Sequence, residues 1–103
     1  MSLPTTRRVL VCNGTDDMSV QQRPIPKPTG SEVLLQIEAS GICATDLHLV
    51  RRSVPYLNRT VDVCGHEGIG HIVELGPEID AQWKVGDRVA HRWLYRICKQ
   101  CEM

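Results

Sequence analysis

Phenylalanine is absent from the 103 residues, and only two Trp and two Tyr are present. The core must therefore be built from Val, Ile, Leu and Ala, and it is modest for a chain of this length. Net charge is absent too: 12 Lys plus Arg balance 12 Asp plus Glu. A neutral chain gives no electrostatic reason for nucleic acid or an acidic membrane as partner. No apolar run approaches the ~20 residues that span a bilayer. The N-terminal stretch MSLPTTRRVLVC lacks the long apolar segment of a secretory signal, so the cytoplasm is the default location. No internal repeat and no low-complexity tract is visible.

What is present is an ordinary globular composition, 42% hydrophobic and 23% charged, sized for one small domain over residues 1–103. Five cysteines are present, Cys12, Cys43, Cys64, Cys98 and Cys101. In a reducing compartment disulfides are disfavoured, which leaves metal ligation or burial as the reading for each. Cys12 reads as a core strand residue and Cys64 as a buried thiol.

The patterning predicts mostly strands. Arg7–Cys12 reads as a strand and Asn13–Asp17 as a turn. Arg23–Gly30 (RPIPKPTG) carries three alternating prolines and reads as an extended connector. Glu32–Ser40 is the clearest strand, with Val33, Leu35, Ile37 and Ala39 expected on one face. After Gly41, the segment Ile42–Val50 fits a short helix with Leu47 and Val50 as its apolar pair. Arg51–Thr60 reads as loop. His71–Leu75 and Arg88–Trp93 read as further strands, with a tight turn over Trp83–Asp87 between them. A small mostly β barrel or sandwich follows.

The stretch VCGHEGIGH, Val63–His71, concentrates metal-capable residues. It is no helical HExxH site, because position i+4 from His66 is Gly70, and His71 comes one residue too late. The glycines also disfavour helix, at about 1 kcal/mol each. A loop can still present His66 to a metal. Zinc takes sulfur and imidazole ligands, and a catalytic zinc uses three protein ligands with an open position. Cys43, at the start of the expected helical turn, is the natural second ligand, although it lies 23 residues before His66. Cys98 and Cys101 form a CxxC pair, half of a zinc knuckle; a redox pair is the other reading, without the βαβ context it needs.

Taken in order, Gly41-Ile42-Cys43-x-Thr45-Asp46-Leu47-His48, then Gly65-His66-Glu67-x-x-Gly70, Gly76, Trp83–Val89 and Cys98-x-x-Cys101 resemble the zinc-dependent alcohol dehydrogenases of the medium-chain dehydrogenase/reductase superfamily. The resemblance runs from the first strand to the end of the chain. It implies a GroES-like partial barrel with short helices. It also implies roles: Cys43 and His66 as ligands of a catalytic zinc, Glu67 beside the metal, Asp46 as the residue orienting a ligand, and Thr45 and His48 as a proton relay from the alcohol. Cys98 and Cys101 would be the first two of four cysteines on a structural zinc. The implied chemistry is alcohol to aldehyde or ketone, with hydride passing to NAD.

The chain departs from that pattern in several places. No GxGxxG fingerprint of an NAD-binding Rossmann domain occurs. The third cysteine ligand of the catalytic zinc has no counterpart, and the next structural-zinc cysteine would fall just past Met103. Ala44 stands where yeast-like relatives carry a basic residue that touches the cofactor phosphate. These departures predict a truncated domain, inactive by itself, with both zinc sites incomplete and NAD bound only by a full-length relative. Two alternatives stay open: a non-catalytic β-rich binding or regulatory module that pairs with a full-length relative, and a zinc-binding interaction module built on Cys98 and Cys101.

Overall fold

The structure is a computed structural model that describes residues 2–12, 17–53, 63–93 and 100. Among the described residues, five strands and one helix follow in the order β1 (Thr6–Cys12), β2 (Met18–Pro24), β3 (Val33–Ser40), α1 (Ala44–Arg51), β4 (Gly68–Leu75) and β5 (Arg88–Ala90). β1 and β2 form one antiparallel pair, and β3, β4 and β5 form a second antiparallel sheet in that order. Strands dominate, as the patterning predicts. No helix among the described residues is long and apolar enough to cross a membrane.

β1 alternates as a half-buried strand should: Val9 and Val11 are buried, while Leu10 between them is exposed. β2 was not foreseen. Its sequence, MSVQQRP, has little apolar content, and the strand is held by its ladder to β1 and not by burial. The proline connector is accordingly shorter than expected, because Arg23 and Pro24 complete β2. A proline is tolerated there because the pair has open edges where no N–H is required.

β3 departs from simple alternation. The pairing with β4 skips Val73 on one side and Glu38 on the other, so two bulges interrupt the register. A bulge re-aims the side chains around it. The expected single apolar face is therefore lost: Val33, Leu34 and Leu35 are all half-buried, and Ile37 is exposed. The bulged Glu38 instead reaches across the sheet. Its carboxylate lies 3.0 Å from His71 Nδ1 on β4 and 2.9 Å from Arg88 Nη2 on β5. The turn between β4 and β5 closes as the sequence suggests. Gly86 adopts φ 96°, and the Asp87 carboxylate accepts the Lys84 N–H at 3.1 Å. β5 ends at Ala90, three residues short of the expected Trp93.

Two connections position the site. Val11 bridges Val63, and the Cys64 N–H donates to the Leu10 carbonyl at 3.1 Å, which ties the Val63–Glu67 segment to β1. Leu49 and Val50 of α1 pack with the fully buried Cys12, and Cys64 packs against the same cluster. The helix thus turns Leu49 and Val50 inward and leaves Leu47 exposed, so the expected Leu47–Val50 pair is corrected to Leu49 and Val50. The core thiol at Cys12 accords with its reading as a packed strand residue.

Candidate metal centre

The site forms where the start of α1 meets the loop before β4. Cys43 is the residue before the first helical turn, in extended conformation. Its backbone N–H donates to Asp46 Oδ2 at 3.1 Å, the reach-back of a capping carboxylate three residues into the helix. The other oxygen of Asp46 accepts the Gly65 N–H at 3.0 Å. One carboxylate therefore fastens two segments that are far apart in sequence. Gly65 is required here: its φ of 105° is a conformation that L side chains rarely adopt. At Gly41 the need is for space, because a side chain there would collide with the Glu67 carboxylate, while the Gly41 N–H donates to the Glu67 carbonyl at 2.9 Å.

This framework brings Cys43 Sγ, a ring nitrogen of His66 and a carboxylate oxygen of Glu67 within 4.8 Å of one another. Cys43 and His66 are half-buried, and Glu67 is exposed. His66 Nδ1 is buried and lies 3.3 Å from Asp46 Oδ1, near enough for attraction but without hydrogen-bond alignment. His66 Nε2 is 4.0 Å from Glu67 Oε1. Sulfur, imidazole and carboxylate are the donors zinc selects, and zinc holds them at about 2.0–2.3 Å. The donor chemistry therefore fits the metal.

The Cys43 shift favours ligation, whereas the His66 shift favours a protonated ring whose proton a metal must displace. The Cys43 thiol is held below its ordinary range by the Thr45 backbone N–H, then by the Thr45 hydroxyl and the His66 ring. Burial and the Glu67 carboxylate push it the other way. A position before a helix N-terminus favours thiolate for the same reason. For His66, burial is the largest single influence and works against its charged form. Cys43, Asp46 and Glu67 together outweigh it, and the imidazole is held above its ordinary value.

Thr45 Oγ1 sits 3.5 Å from Cys43 Sγ. His48 follows Thr45 by three positions on α1, a spacing that places both on one side of the helix. Its Nδ1 pairs with Ser53 Oγ at 2.9 Å at the exposed end. Cys43, Thr45, Asp46, His66 and Glu67 thus come together, with His48 further along the same helix. Cys98 and Cys101 lie outside the described residues. Trp93 is not among the expected site residues, yet its indole lies edge-to-face on His66, with ring centroids 4.9 Å apart and planes at 85°. No periodicity or spacing in the sequence signals that contact.

Comparison with known proteins accords with this geometry. Residues 29–103 match the family model for the alcohol dehydrogenase GroES-like domain. Alcohol dehydrogenase 1 of Caenorhabditis elegans is 35% identical over 103 residues, covering 99% of this chain and 29% of that protein. A Sinorhizobium meliloti protein assigned as a zinc-binding dehydrogenase, solved with NADP, superposes with a TM-score of 0.72 at 30% identity, covering 82% of this chain and 24% of its own. The acetophenone reductase of Geotrichum candidum in complex with NAD gives 0.72 at 32% identity, with 87% and 26% covered. The chain spans about a quarter of the length of the curated relatives it matches.

Proposed function

Because the chain belongs to the alcohol dehydrogenase GroES-like domain family, we propose that it supplies the zinc-holding part of an alcohol-oxidising centre, with Cys43 and His66 as ligands. The observation that carries this reading is the convergence of Cys43, His66 and Glu67 within 4.8 Å, fastened by Asp46. Zinc bound there supplies Lewis acidity that makes an alcohol oxygen easier to deprotonate. The substrate class is a small alcohol, or its aldehyde or ketone in reverse. The hydride acceptor is a nicotinamide cofactor, bound by a Rossmann domain in a longer polypeptide or a full-length partner.

Each residue has a defined task in this reading. The lowered Cys43 thiol gives up its proton more readily than an ordinary thiol and offers its sulfur as a ligand. Asp46 draws His66 Nδ1 toward itself and so leaves Nε2 on the Glu67 side. Glu67 borders the metal position from the exposed side. Thr45, whose hydroxyl lies beside the Cys43 sulfur, accepts the alcohol proton by hydrogen bonding, and His48 carries it toward solvent along the helix. Cys98 and Cys101 serve a separate, structural zinc. Thiolate ligation suits the reducing cytoplasm, where we place the protein.

The test is titration of the chain with Co2+, read by thiolate-to-cobalt absorption, in a background carrying Cys98→Ser and Cys101→Ser. The expected result is an absorption band that saturates at one equivalent and disappears in Cys43→Ser. A parent chain with no such band, or a band that survives Cys43→Ser, refutes the reading.

A further inference from the structure

We infer that Trp93 is a positioning residue for His66, one that fixes the imidazole plane in which a ring nitrogen lies within 4.8 Å of the Cys43 sulfur and the Glu67 carboxylate. The inference rests on the reading that Cys43 and His66 hold a metal, and it adds a residue which that reading does not use.

The geometry carries it in three steps. First, the His66 ring is incompletely held by polar contacts. Its Nδ1 is buried and attracted to Asp46 Oδ1 at 3.3 Å, but no aligned hydrogen bond fixes it. The Cys43 sulfur and the Glu67 carboxylate also draw on the ring, but rotation of an imidazole about its last torsion is soft, and no aligned hydrogen bond at Nδ1 locks its plane. Secondly, the Trp93 indole supplies the missing constraint. A centroid separation of 4.9 Å at 85° falls in the preferred edge-to-face range for aromatic pairs. A ring held edge-to-face resists turning, because rotation drives its edge into the neighbouring ring or opens a gap. Thirdly, burial of its own surface does not account for the placement of Trp93. The residue is 51% exposed, whereas the His66 side chain is 15% exposed. Among the described residues, the backbone bond nearest Trp93 in sequence runs from the His91 N–H to the Gly68 carbonyl, at 2.8 Å, two residues before it. The indole lies against His66 although half of it stays in solvent. An indole face also favours an imidazole made electron-poor by protonation or by a metal ion.

The experiment uses the chain carrying Cys98→Ser and Cys101→Ser, compared with the same chain carrying Trp93→Leu or Trp93→Phe. Co2+ affinity is read from the thiolate absorption band. Trp93→Leu is expected to bind about three- to tenfold more weakly, the scale of one aromatic pair. Trp93→Phe, which keeps an aromatic face, is expected to recover most of that loss. In a Trp83→Phe background, Trp93 is the only tryptophan of the chain, and its fluorescence is expected to change along the same Co2+ saturation curve. Equal affinity in Trp93→Leu and the parent, or a Phe variant no better than Leu, overturns the positioning role while the metal reading stands. So does Trp93 emission that ignores Co2+, a readout that needs no folded Leu variant. A parent chain without the Cys43-dependent band overturns the metal reading itself, and the inference with it.

Discussion

Removing the Asp46 carboxylate should loosen the site and the fold together. Asp46 contacts both the start of α1 and the Gly65–His66 loop, through the Cys43 N–H at 3.1 Å and the Gly65 N–H at 3.0 Å. Hydrogen bonds to a charged group contribute about 1.5–3 kcal/mol each. The Asp46 side chain keeps 13% of its surface in water, so solvent replaces part of what is lost. The expected cost of Asp46→Ala is therefore about 2–4 kcal/mol, which includes roughly 1 kcal/mol for the helix cap. Asp46→Asn keeps one acceptor oxygen but turns an amide NH2 toward the other donor, so about half that cost is expected. With a urea slope of about 1–2 kcal/mol/M, the Ala midpoint falls by about 1–4 M. Co2+ affinity should drop about 10–100-fold in either variant, because the His66 ring loses its orienting partner. Urea unfolding followed by circular dichroism, with Co2+ titration alongside, measures both. If Asp46→Ala unfolds at the parent midpoint, or if Asp46→Asn leaves Co2+ affinity unchanged, the bracing role assigned to this carboxylate is wrong. Should Asp46→Ala yield too little folded protein to titrate, the Asn variant carries the test.

Gly65→Ala places a Cβ at φ 105°, and a loss of about 1–2 kcal/mol is expected in the same unfolding assay; a loss near zero would show that the loop relaxes without effort. The lowered Cys43 thiol predicts alkylation by iodoacetamide at lower pH in the folded chain than in urea, read at the Cys43 peptide by mass spectrometry, and identical profiles would refute the shift. The sign for stability follows: the Cys43 contribution is fully present above the unfolded value near 9.0 and is lost as pH falls through the lower folded value. His66 acts oppositely, contributing fully below 6.5 and losing that contribution as pH rises through its raised folded value. Glu38→Gln removes an exposed pairing with His71 and Arg88 and should cost under about 1 kcal/mol in urea unfolding; a cost above roughly 2 kcal/mol would mean that this cluster, and not the backbone ladder, holds the sheet.

The sequence by itself determined the strand-rich class, the helix start at Cys43, the turn at Gly86 and the residue types able to ligate a metal. These are local properties, set by side-chain alternation, glycine and capping chemistry. It also determined that His66 could not serve a helical zinc motif, because Gly70 occupies the position a second histidine needs. Tertiary structure alone decided that Cys43 and His66 meet. That meeting depends on the Val11–Val63 bridge, on Leu49 and Val50 packing with Cys12 and Cys64, and on Asp46 reaching Gly65. Each of these is a contact between residues distant in sequence, so no periodicity encodes it. The bulges that turned Glu38 toward His71 and exposed Ile37 arose the same way, from register set by a neighbouring strand. Trp93 shows the limit most plainly. Nothing in the sequence assigns it a place in the site, and only the chain's path beyond β5 brings its indole against His66.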